Sequence, residues 1–173
     1  PSGIRSFVNR CGGVHVPLDA GGRLIEDPVC YRDHRTDGAM ERVFRTVPRA
    51  EIFAATGVQL LELNTLFQLL RMQERGASAL GAARRLLFTP DLFSYWLCGR
   101  AVNEHTIATT SQCLDVASGR WAEALLGRFS LPAGIFGEVV PPGTVLGELL
   151  PHVGEETGLQ GTPIVAVGGH DTA

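Results

Sequence analysis

Lysine is absent from these 173 residues; all fifteen basic side chains are arginine. That absence excludes a Walker-type phosphate loop, which needs a lysine to reach the phosphates, and it excludes a Schiff-base lysine within the chain. Cysteine is sparse as well. Cys11, Cys30, Cys98 and Cys113 are widely and irregularly spaced, so no pair has the short separation of a zinc or redox motif. No apolar run approaches the ~18 residues of a membrane span, and no signal-peptide pattern is visible. Positive charge is not in excess either: fifteen basic against eighteen acidic residues give a net charge of −3, without the basic patch that nucleic acid demands. The expectation from these absences is a reduced, cytoplasmic protein with no nucleic-acid and no membrane partner.

What is present is enough apolar material for a core: 45% of the residues are hydrophobic. The chain starts with Pro1 rather than Met and stops at Ala173, directly after a strand-like run and a polar turn. Domain boundaries fall in exposed linkers, so the expectation is an internal fragment. The most informative stretch is that last one, Pro163-Ile-Val-Ala-Val-Gly-Gly-His-Asp-Thr172. Ile164 to Val167 reads as a strand buried on both faces of a sheet. Two glycines then let the backbone turn sharply. His170, Asp171 and Thr172 follow at the carboxyl end of the strand, the edge where open α/β sheets bind ligands. Asp171 suits two jobs there, capping a following helix or accepting a proton as a general base.

Earlier in the chain, Val14 to Leu18 reads as a strand entering the turn Asp19-Ala-Gly-Gly22, with Arg23 to Tyr31 returning as its hairpin partner. Gly12 and Gly13 then precede a strand, where missing side chains leave room for a ligand or for packing. The loop Tyr31-Arg-Asp-His-Arg-Thr-Asp-Gly38 is dense in charge. Arg32, Asp33, Arg35 and Asp37 suit either a ligand or mutual ion pairing. Thr36 or Asp37 is placed to cap a helix whose Met40, Val43, Phe44 and Val47 form one apolar face. A short helix around Glu51 to Thr56 closes at Gly57, and Asn64 or Thr65 opens a longer one ending by Gly76. Ser78 to Arg85 reads as an arginine-tipped helix. Thr89 as N-cap, Pro90, Asp91 and the stop at Gly99 bound a helix whose Leu92, Phe93, Trp96 and Leu97 are read as core. Asn103 to Gln112 is a run of hydrogen-bonding side chains, either the lining of a polyol or sugar site or a polar connector; His105 lacks partners at metal-ligand spacing.

Several words in this order resemble the rhamnulokinase branch of the FGGY carbohydrate kinases. They are Tyr31-Arg-Asp-His-Arg-Thr-Asp-Gly38, Gly57-Val-Gln-Leu-Leu-Glu-Leu-Asn-Thr-Leu-Phe-Gln-Leu69, Pro90-Asp-Leu-Phe-Ser-Tyr-Trp-Leu-Cys-Gly99, the run Asn103 to Gln112, Pro142-Gly-Thr-Val-Leu-Gly147 and Gly169-His-Asp-Thr-Ala173. The likeness extends from about Asp19 to the end. It implies an α/β, helix-rich, actin-like (RNase H-like) fold of two lobes, with residues 1–173 an incomplete N-terminal lobe lacking the opening phosphate hairpin and the C-terminal lobe. It also implies ATP- and Mg²⁺-dependent phosphorylation of L-rhamnulose at its C1 hydroxyl. By position, Asp171 resembles the family's catalytic base, with His170 and Thr172 beside it in the sugar site. The family's early-strand glycine, in a Trp-Gly-Val-Asp word, corresponds to Gly12 without a gap or to Gly13 with one, the latter placing His15 at the Asp. Relatives tend to carry tyrosine at the position of His105. Rival readings are an FGGY kinase for fuculose, xylulose or glycerol, and a non-catalytic sugar-binding module. Without the ATP side, residues 1–173 alone are expected to be inactive.

Overall fold

The computed structural model describes residues 13–76 and 78–170. In chain order the elements are β1 (His15–Leu18), α1 (Ala39–Val43), α2 (Arg49–Thr56), α3 (Thr65–Glu74), α4 (Ser78–Ala82), β2 (Arg85–Phe88), α5 (Thr89–Cys98), β3 (Asn103–Glu104), α6 (His105–Thr109), β4 (Leu114–Asp115), β5 (Arg120–Trp121), α7 (Glu123–Arg128), β6 (Val139–Val140), β7 (Val145–Glu148), α8 (Pro151–Thr157) and β8 (Pro163–Val165). The helix stops follow local chemistry: Gly57 and Gly99 close α2 and α5 in the left-handed conformation, at φ 65° and 78°, which glycine adopts without penalty.

The strands pair two by two: β1 with β2 antiparallel, β3 with β6 parallel, β4 with β5 antiparallel and β7 with β8 antiparallel. The partner of β1 is therefore not the segment from Arg23 to Tyr31. That segment contributes an isolated bridge from Leu24 to Leu18, a bond from Asp19 N to Arg23 O (2.9 Å) and one from Ile25 N to Pro17 O (3.1 Å), and forms no strand. Asp19 closes the turn by accepting the amides of Gly21 and Arg23 at 2.8 and 2.9 Å, and Glu26-Asp27-Pro28 then favours solvent over a ladder. The true partner, β2, begins at Arg85, the last residue of the run expected to be helical. α4 ends at Ala82, where the Arg84 guanidinium donates to the carbonyls of Gly81, Ala82 and Ala83. Leu86, Leu87 and Phe88, too apolar to leave in water, run on as a buried strand.

The main core gathers around α3, where Leu66, Phe67, Leu69 and Leu70 meet Val43, Val47, Ile52, Leu86 and Leu126. The apolar spacing from Met40 to Val47 held, although α1 itself stops at Val43. Its N-cap is Gly38, not Thr36 or Asp37, and Asp33 instead caps a short 3₁₀ turn at His34–Thr36. α5 begins one residue earlier than expected, with Phe88 at the N-cap. Its buried face is also rotated. Leu92 and Tyr95 pack against Val16, Leu18 and Leu87, whereas Phe93 and Trp96 are 41% and 45% exposed and stack edge to face at 5.5 Å. Two adjacent i, i+3 stripes compete on this helix, and only the tertiary neighbours select one. β8 likewise is not buried on both faces: Val165 is exposed, and within the run from Ile164 to Val167 Ala166 alone is buried. One partner strand and one packed face cannot cover it.

The two stripes separate in stability. Leu92→Ala is expected to cost about 2–5 kcal/mol, and Trp96→Ala about 0.5–1.5 kcal/mol, the worth of an exposed aromatic pair. Urea unfolding of both variants checks this; the reverse order would put Trp96 in the core.

Candidate functional site

Beyond β8 the chain is pinned twice before it reaches His170. Ala166 donates to Thr144 O at 2.8 Å, and its own carbonyl accepts from Gly143 N at 2.7 Å. Gly169 N then donates to Glu104 Oε2 at 2.9 Å and lies 3.0 Å from Thr106 Oγ1. Glu104 is 1% exposed and stands at the N-cap of α6, where it also accepts Thr106 N (2.8 Å), Ile107 N (3.2 Å) and Thr106 Oγ1 (2.5 Å). Its own amide donates to Asp91 Oδ1 at 3.1 Å. Burial, reinforced by the charge of Glu104, holds the Asp91 carboxyl well above the usual carboxylate range. Two residues earlier Thr89 donates from its amide and its hydroxyl to Val14 O, at 3.0 and 3.2 Å. The first turn of α5 thus ties the residue after Gly13 to the segment that carries His170.

The run from Asn103 to Gln112 is accordingly neither an exposed connector nor, among its buried members, an open sugar lining. Asn103, Glu104, Ser111 and Gln112 are buried in a structural knot. Gln112, at φ 62°, accepts Asn64 Nδ2 at 2.6 Å and donates to Val58 O at 2.9 Å. Asn64 stands at the N-cap of α3, as expected, but its side chain makes no capping bond and goes to this knot instead. No described trio of His, Cys, Asp or Glu side chains is placed to hold a metal ion.

On the other side of β1 the charged loop turns inward. Arg35 lies 3.4 Å from Asp33 Oδ1, donates to Gln68 Oε1, and its carbonyl accepts Arg71 Nε at 2.8 Å. Gln68 in turn donates to Gly13 O at 3.2 Å and Leu63 O at 2.6 Å. His34 pairs with Asp37 at 3.1 Å in solvent, and Arg32 bonds to Tyr31 Oη at 3.0 Å. Of the predicted site residues, Gly13 is buried here and His170 is half-buried. Gly12, Asp171 and Thr172 lie outside the described residues. Sequence reasoning missed Glu104 and Gln68 as individuals. A glutamine set among Leu66, Phe67, Leu69 and Leu70 was the available signal for the second.

The FGGY family of carbohydrate kinases, N-terminal domain, matches residues 8–173. A rhamnulokinase of Bacteroides thetaiotaomicron is 41% identical over 157 residues, covering 91% of this chain and 32% of that protein. A rhamnulokinase of Enterobacter sp. (strain 638) is 38% identical over 166 residues, covering 96% and 33%. The chain spans about a third of the length of these curated relatives. Among solved structures, a gluconate kinase of Lactobacillus acidophilus superposes with a TM-score of 0.83 at 14% identity, covering 94% of this chain and 33% of that one. A carbohydrate kinase of Novosphingobium aromaticivorans gives 0.74 at 26% identity, covering 93% and 34%. The α/β, actin-like N-terminal lobe expected from the sequence is the fold these likenesses bear out.

His15 offers a test of the inner face. Burial, and secondarily the charge of Arg35, lowers its pKa from 6.5 to about 3, against a smaller opposing effect of the Gly13 carbonyl. A native pKa below the unfolded one means that the unfolded chain takes up the proton first. The stability His15 contributes is therefore complete above pH ~6.5 and is lost as pH falls from ~6.5 towards ~3. Thermal melts of wild type and His15→Leu across that window should converge on acidification by several degrees; a constant gap would mean that His15 is not buried neutral.

Proposed function

This chain belongs to the FGGY family of carbohydrate kinases, and from that premise we propose that it forms the sugar side of an ATP-dependent kinase that phosphorylates L-rhamnulose at its C1 hydroxyl. The observation that carries the substrate is the 41% identity to a rhamnulokinase across 91% of the chain. In this reading Asp171 is the general base, and Gly12 or Gly13, His170 and Thr172 share the sugar site. ATP with Mg²⁺ supplies the phosphoryl group. The residues named here act on the sugar. Asp171 accepts the C1 hydroxyl proton, which makes the oxygen a better nucleophile, and the glycines let the backbone approach the sugar closely. His15, buried near Arg35, stays neutral and adds no imidazolium charge there. The pinned segment from Ala166 to Gly169 supports the reading, since a base must meet its proton within hydrogen-bond reach.

In a protein of the relatives' full length that contains these residues, Asp171→Asn is expected to lower kcat by about 10²–10⁴ while leaving sugar affinity nearly unchanged. An ADP-release assay with L-rhamnulose measures it, with L-fuculose, D-xylulose and glycerol as competitors for the substrate assignment. Near-wild-type turnover of that variant would refute the base, and a preference for another sugar would refute the substrate.

A further inference from the structure

We infer that Glu104 is a positioning residue of the sugar site, its buried carboxylate holding the Gly169 amide and so fixing the point from which His170 and Asp171 depart. The inference rests on the proposed role of Asp171 and deepens it. Helix capping alone does not account for the geometry. An N-cap side chain satisfies the amides of the first turn, and Thr106 N and Ile107 N already fill that role. The bond from Gly169 N arrives from a segment 65 residues further along the chain. It is a charge-assisted bond shielded from water, among the stronger kinds a backbone amide can make.

Three further observations give the contact direction. Thr106 Oγ1 lies within bonding distance of both Glu104 Oε2 and Gly169 N, so the hydroxyl can donate to the carboxylate and accept from the glycine. A Cβ on Gly169 would stand 3.3 Å from Glu104 Oε2 and 3.3 Å from the Ile107 side chain. The chain is thus pressed onto the carboxylate more closely than an alanine comfortably allows. Glu104 itself is held by Asp91, in the same helical turn from which Thr89 grips Val14. The glycine-led strand β1 and the turn before Asp171 hang from one bracket. A base displaced by about 1 Å can cost two orders of magnitude in rate, which is the scale on which this anchor acts.

The test uses the protein of the relatives' full length. Glu104→Gln keeps the size but replaces one acceptor oxygen with a donor, and is expected to lower kcat about 10- to 100-fold. Gly169→Ala strains the same contact from the other side, and the double variant should lose little more than the worse single one. Ile52→Val, which trims a fully buried side chain in the main core cluster that excludes Glu104, Ile107 and Gly169, serves as the control: a lower Tm with unchanged kcat. If Glu104→Gln behaves like that control, or if the two losses multiply, the inference is overturned. Asp171→Asn is assayed in parallel. If Asp171→Asn loses turnover while Glu104→Gln does not, only the anchor fails. If Asp171→Asn keeps turnover, the base reading falls, and hydrogen exchange at Gly169 decides the anchor: faster exchange in Glu104→Gln supports it and unchanged exchange overturns it.

Discussion

A carboxylate taken out of water must be met by donors, and Glu104 is where this chain meets that demand. Desolvating such a group costs several kcal/mol unless hydrogen bonds replace the lost water. Four donor contacts converge on it, from Thr106, Ile107 and Gly169. Satisfying it therefore forces α6 to start where it does, and forces the segment after β8 to come within 2.9 Å. A polar requirement at one buried point organises two segments that share no sequence neighbourhood.

The same point sets the role of α5. Asp91 receives the Glu104 amide, and its raised pKa lets it keep a proton to higher pH than an exposed aspartate would, which eases repulsion between the neighbouring carboxyls. Thr89 faces the opposite way and holds Val14. A single helical turn thereby ties together strand β1, the short strand β3 and the run leading to the proposed base. On the far side of β1, Gln68 bridges Arg35 to Gly13 and stabilises the strand entrance from below.

Much of this was legible from local chemistry. Pro90, Asp91 and Gly99 mark the ends of α5 to within a residue, because capping and backbone conformation depend on near neighbours. The face that α5 buries was not legible, because Leu92 and Tyr95 compete with Phe93 and Trp96 on equal hydrophobic terms until β1 and β2 are in place. The partner of β1 was missed for a related reason: the pairing of His15 with Phe88 spans more than seventy residues, and no local rule reports it. Within the candidate site, the run around Glu104 stood out by its polarity, but its purpose depends on an amide far downstream. Gly13 and His170 occupy described positions, and Gly12, Asp171 and Thr172 fall outside them.

The exposed stack of Phe93 on Trp96 has an optical consequence. The chain contains two tryptophans, and their surroundings differ. Trp96 is 45% exposed on the outer face of α5, whereas Trp121 packs on Phe136 at 4.6 Å and donates its indole N–H to Gly137 O. The first indole is expected to emit further to the red than the second, which is half-buried. Their separate wavelengths make the intrinsic fluorescence a two-colour report: one colour follows the wetted surface of α5, the other the packing between β5 and the segment at Phe136.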